Sequence, residues 1–132
     1  MAHILLIEDD SKLRSILAEI LEDAGHRVSA ASDGKEAEKC MAADPANLVL
    51  TDILMPEQEG IETIINLRRN YPKVKVIGMS GGGRGGAKHY LDAARTFGAQ
   101  ETLQKPFESV ELLGKIDAVL NGTTTANSVK QE

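Results

Sequence analysis

The chain has 132 residues, 42% of them hydrophobic, which is enough for one compact core and too little for two. With 15 basic residues against 20 acidic ones the formal charge is −5, so a chain-wide basic footprint for DNA or RNA is excluded and no direct nucleic-acid contact is expected. The single cysteine, Cys40, cannot form an internal disulfide, and the opening MAHILLIEDD has neither a basic start with a long apolar segment nor a cleavage site, so a cytoplasmic location is expected.

The first predicted strand, residues 3–7 (HILLI), is apolar without alternation, as a strand covered on both faces should be. A helix follows, because Leu13, Ile16, Leu17, Ile20, Leu21 and Ala24 form one apolar stripe before Gly25 stops it. Asp10 is placed to cap its start. After a strand at 27–31, a second helix begins at Asp33, with Glu36 completing a capping arrangement, and buries Ala37, Cys40 and Met41 before Asp44 and Pro45 end it. The third strand, 48–51 (LVLT), is again apolar throughout, and the helix at 60–70 buries Ile61, Ile64, Ile65 and Leu67. A strand at 74–79, a helix at 87–97 and a weaker strand at 102–104 come next. The last helix follows Pro106, with Val110, Leu113, Ile116 and Leu120 on one face and Gly122 closing it.

This order is (βα) five times, which implies a mainly parallel sheet with helices on both faces. Residues 1–121 make the domain, and 122–132, with almost no apolar content, a flexible tail. No apolar run approaches the roughly 20 residues that cross a bilayer, so no membrane contact is expected.

Ligands of open α/β sheets bind outside the carboxyl ends of the strands. Here those ends carry Glu8, Asp9 and Asp10 after the first strand and Asp52 after the third. Neighbouring strands would bring these acids together, and carboxylates held that close call for a hard divalent cation bound through oxygens, of which Mg2+ is the natural candidate. Ser80 and Lys105, after the fourth and fifth strands, add a hydroxyl and an ammonium suited to a phosphoryl group. Asp52 is central and fits a nucleophile, while Glu8 and Asp9 fit a shared metal, so the expected product is an aspartyl phosphate. The proline after Lys105 matters because a peptide bond before proline can be cis and can turn the lysine toward the site. His3, His26 and His89 lack metal-ligand spacing.

The segments ILLIEDD, LVLTDILMPEQEG, VIGMS and LQKPF, in that order, resemble the receiver domain of two-component response regulators, single-domain chemotaxis-type receivers included, over about residues 2–121. Asp52, Met55, Pro56 and Gly60, joined to Lys105-Pro106 and the early acidic pair, carry the resemblance. It implies a flavodoxin-like, doubly wound parallel sheet of order 2-1-3-4-5 and phosphoryl transfer to Asp52 from a phosphohistidine on a sensor histidine kinase or histidine phosphotransfer protein. It further implies that Asp9, Asp52 and the backbone carbonyl of Leu54 contact Mg2+, with Glu8 acting largely through water, and that Ser80 and Lys105 bind phosphoryl oxygens. The face of helix four, strand five and helix five would change for an output partner that the sequence does not identify. One departure falls on that face: the switch position three before the lysine, usually aromatic in this family, is Thr102.

Four other functions compete, of which a pure interaction module that has lost phosphorylation would not need its acids, hydroxyl and lysine to survive together. Gly81, Gly83 and Gly86 match GxGxxG, but only 46 residues follow Gly86, too few to complete a dinucleotide fold, and Ala87-Lys88 replaces the Lys-Ser or Lys-Thr of a Walker loop. The glycines are expected to make that loop mobile until a phosphoryl group orders it. An aspartyl-nucleophile phosphatase would need a general acid two residues after Asp52, where Leu54 stands. A flavodoxin would need hydroxyls and amides after the first strand, where three acids would repel a flavin phosphate. The resemblance implies that Leu54 and Gly82 lie near the site mouth, where neither offers a charged side chain to position water, so slow hydrolysis of the phosphoryl group is expected.

Overall fold

Along β1 (His3–Ile7) all five residues are buried, because side chains leave the strand in two directions and both are covered. Ile4 and Leu6 enter one cluster with Leu17 and Leu21 of α1 (Ser11–Asp23) and Leu112, Ile116 and Val119 of α5 (Ser109–Leu120). Leu5 and Ile7 enter the other, with Met41 of α2 (Gly34–Ala43), Ile64 and Leu67 of α3 (Glu59–Asn70) and Ala94 of α4 (Gly86–Thr96). These relations come from a computed structural model that describes residues 2–53, 59–81 and 86–122, with side chains described at all of them except 59 and 86–89.

Among the described residues one five-stranded parallel sheet runs in the order β2 (Arg27–Ala31), β1, β3 (Leu48–Asp52), β4 (Lys75–Ser80), β5 (Glu101–Gln104). This is the expected flavodoxin-like arrangement, with α1 and α5 on one face and α2, α3 and α4 on the other. Leu54, the segment 82–85 and residues 123–132 lie outside the described residues, so the expectations for the Leu54 carbonyl, most of the glycine loop and the tail concern positions that are not described.

Helix ends follow the local chemistry. Asp10 Oδ1 accepts from the Lys12 and Leu13 N–H groups at 3.0 and 3.1 Å and so caps α1. At the other end Gly25, at φ 97°, lets the His26 N–H reach the Leu21 carbonyl and its own N–H reach that of Glu22. Asp33 caps α2 through the Glu36 N–H at 2.8 Å, while the Glu36 carboxylate reaches back to the Ser32 N–H at 2.7 Å, one residue before the cap.

Three helical faces differ from expectation, the first being α3, where Ile64 and Leu67 are buried but Ile61 and Ile65 only half so. The buried residues of α5 are Leu112, Ile116 and Val119; Leu113 and Leu120 flank them and Val110 is 81% exposed. In α1, Ile16 lies on the outer side of its stripe at 55% exposure. Cys40 packs at the margin of a cluster, partly buried. The fourth and fifth strands are β4 and β5 as defined above, each bounded within one residue of expectation, and the shift brings Ser80 and Glu101 into the sheet.

Candidate functional site

Register sets the site. Ile7 pairs with Thr51, so Glu8 emerges level with Asp52; Asp52 pairs with Met79, so Ser80 lies one step further; Ser80 pairs with Gln104, placing Lys105 one step beyond that. The four strand ends rise like a stair across the carboxyl edge of the sheet. Backbone bonds continue the ladder past the strands, from the Ile53 N–H to the Met79 carbonyl at 2.9 Å and from the Lys105 N–H to the Ser80 carbonyl at 2.9 Å.

Lys105 crosses this stair. Its Nζ donates to Glu8 Oε1 at 2.9 Å and to Asp52 Oδ2 at 3.1 Å, joining residues 97 and 53 positions away in the chain. The peptide bond between Lys105 and Pro106 is cis. Glu8 and Asp52 are 1% and 6% exposed, whereas Asp9 is open to solvent, and ligand oxygens of all three lie within 4.8 Å of one another. Such a set of hard oxygen donors, two buried and one open to water, fits a divalent cation of the Mg2+ type. Ser80 is fully buried at the end of β4, and its backbone is bonded to that of Lys105. Thr102, also buried, lies three residues back along β5, away from the acids.

Burial pushes the Glu8 carboxyl above the usual glutamate range and the Asp52 charge pushes the same way, both against the lowering effect of its bond from Lys105. For Lys105 burial works against the charge, but Glu8 and Asp52 together outweigh it, so its pKa lies above the ordinary lysine value and the ammonium persists at neutral pH. Among the described residues, the site therefore keeps a cation of its own, Lys105, between carboxylates that repel each other.

Two interactions, one at the site and one beside it on β5, escape a reading of the chain alone. Arg14, on α1, donates from NH1 to the Glu8 carbonyl at 2.7 Å and fixes the turn that presents Glu8 and Asp9. Its spacing of four from the cap Asp10 is the one local hint. Glu101 is 2% exposed and paired with Arg95 and Lys115, partners that meet it only through tertiary structure.

A sequence profile described as "Response regulator receiver domain" matches residues 4–117. The chain belongs to the response regulator receiver domain family. As a receiver it is 34% identical over 120 residues to the response regulator receiver protein CpdR of Brucella abortus (strain 2308), covering 91% of this chain and 98% of that one. It is 35% identical over 122 residues to the transcriptional regulatory protein CpxR of Escherichia coli (strain K12), covering 91% of this chain but 50% of CpxR. The chain thus spans nearly all of the first relative and about half the length of the second. Among solved structures, a CheY-like receiver domain protein from Methanospirillum hungatei JF-1 superposes with a TM-score of 0.83 at 27% identity, covering 92% of this chain and 95% of that one. The response regulator TrrA from Thermotoga maritima, solved in complex with Mg2+-BeF, gives 0.77 at 29% identity, covering 89% and 97%. Receiver domains of two-component response regulators are signalling domains, phosphorylated by histidine kinases.

Proposed function

We propose that Asp52 is the phosphoacceptor and that a phosphohistidine on a sensor histidine kinase or phosphotransfer protein is its donor. A carboxylate oxygen of Asp52 bonds to phosphorus while the P–N bond breaks, and the electron pair of that bond leaves with the imidazole. Mg2+ held by Asp9, Asp52 and the backbone carbonyl of Leu54, with Glu8 acting largely through water, would supply positive charge against the transferred oxygens. Asp9, open to solvent, supplies the exposed member of the donor set beside Asp52. Lys105 stays protonated and within reach of Asp52, so it can exchange a carboxylate partner for a phosphoryl oxygen without leaving the site. Ser80, at the adjacent strand end, contributes the hydroxyl for a second phosphoryl oxygen. The domain is proposed to run over residues 1–121 and to act on an output partner through its α4, β5 and α5 face.

The observation that carries this reading is the bridge from Lys105 Nζ to Glu8 and Asp52 inside a three-carboxylate cluster. A turnover phosphatase is disfavoured because Leu54 supplies no general acid. Incubation with acetyl phosphate and Mg2+ is expected to load about one phosphoryl group per chain, to be released slowly. Asp52→Asn or chelation of Mg2+ should abolish loading. Multiple turnovers, or undiminished loading of Asp52→Asn, would remove the assignment.

A further inference from the structure

Glu101 takes no part in the acidic pocket, yet it is a carboxylate buried inside a strand and held from both flanking helices. From α4, Arg95 NH2 donates to Glu101 Oε1 at 2.7 Å; from α5, Lys115 Nζ lies 3.6 Å from the same oxygen. The same cations grip the next residue, Arg95 NH2 at Thr102 Oγ1 (3.3 Å) and Lys115 Nζ at the Thr102 carbonyl (2.6 Å). The Thr102 N–H closes the group by donating to Glu101 Oε1 at 3.1 Å. One dipeptide therefore joins α4 and α5 to β5.

We propose that Glu101-Thr102 is a polar clasp that makes α4 and α5 respond together, and that it couples them to Lys105 three residues further along β5. The coupling to Lys105 rests on the reading of Asp52 as phosphoacceptor; the clasp itself does not. A buried carboxylate stripped of one cation is costly, so neither helix is free to shift without altering how the other holds Glu101. The two arms are unequal. The Arg95 side chain is 46% exposed and can be taken over by water, whereas Lys115 is 26% exposed and also holds a backbone carbonyl. α4 is accordingly the helix that lets go, and α5 the one that keeps Glu101 satisfied while it does so.

Amide hydrogen exchange of the unphosphorylated protein tests the clasp directly. Arg95→Gln should speed exchange in α5 as well as α4, on the order of threefold to tenfold because Arg95 is half in water. Lys115→Gln should do the same with the larger effect. Faster exchange confined to the substituted helix in both variants would overturn the clasp. Glu101→Gln, which keeps an acceptor oxygen in place, then tests the coupling. With Asp52 loaded to the wild-type level, the protection that phosphorylation adds or removes in α4 should fall by about half or more; an undiminished response would overturn the coupling. A wild-type chain that loads no phosphoryl group would overturn the Asp52 assignment and the coupling built on it, while the exchange of the unphosphorylated variants would still decide the clasp.

Discussion

At Gly60 there is no room for a side chain: a Cβ built there would stand 2.5 Å from Ile53 Cα and 2.6 Å from the Ile53 carbonyl oxygen. Ile53 cannot retreat, since its N–H is bonded to Met79 and it directly follows Asp52. Gly60→Ala should therefore cost about 1–3 kcal/mol, read from urea unfolding, and should slow loading of Asp52 as the strand end shifts. Glu8 gives a pH signature. Its carboxyl is held above the usual value, chiefly by burial, so the folded chain keeps this proton to higher pH than the unfolded chain. From pH 4.5 up to that raised value folding takes up a proton, and stability falls as pH rises. Glu8→Gln should flatten that slope in urea unfolding at a series of pH values; identical slopes would count against it. Lys105 has the same sign in another window, its stabilising effect being intact below pH 10.5 and lost as pH rises through its raised value.

The elements were legible where one pattern fitted and no second pattern did. β1 and β3 read correctly because uninterrupted apolar runs mean cover on both faces, and both are buried from end to end. Caps were legible as well, since Asp10, Gly25 and Asp33 act through their immediate neighbours. In α5 the apolar residues spread around more than one face, so 110, 113, 116 and 120 fit helical spacing about as well as 112, 116 and 119; contact with the sheet decides between them. The rotation is testable. Leu112→Ala should cost about 2–5 kcal/mol, whereas Val110→Ala should stay within about 0.5 kcal/mol. Equal costs by thermal unfolding would contradict the observed face.

For the whole molecule, a cation bound only by the folded chain must stabilise it. Saturation with Mg2+ at a hundredfold over its dissociation constant should add about 2.7 kcal/mol, visible as a raised melting temperature. Asp9→Asn should shrink that increment and Asp52→Asn should shrink it further, since Asp52 is buried whereas Asp9 is open to solvent. The acids and the lysine were legible in the chain because strand ends in this topology converge, so an acid or a lysine just past an apolar run has few other places to be. Arg14 and Glu101 were not, because neither stands at a strand's carboxyl end and both draw their meaning from partners on other elements.

The bridge from Lys105 to Glu8 spans 97 residues, nearly the length of the folded unit. During synthesis, then, the acids of β1 and β3 leave the ribosome long before their counter-charge exists. A nascent chain that stops short of β5 lacks the ammonium that offsets those carboxylates in the folded protein. The electrostatic complement of the site arrives with the last strand, so a chain interrupted before residue 105 leaves the buried acids without the lysine that joins them.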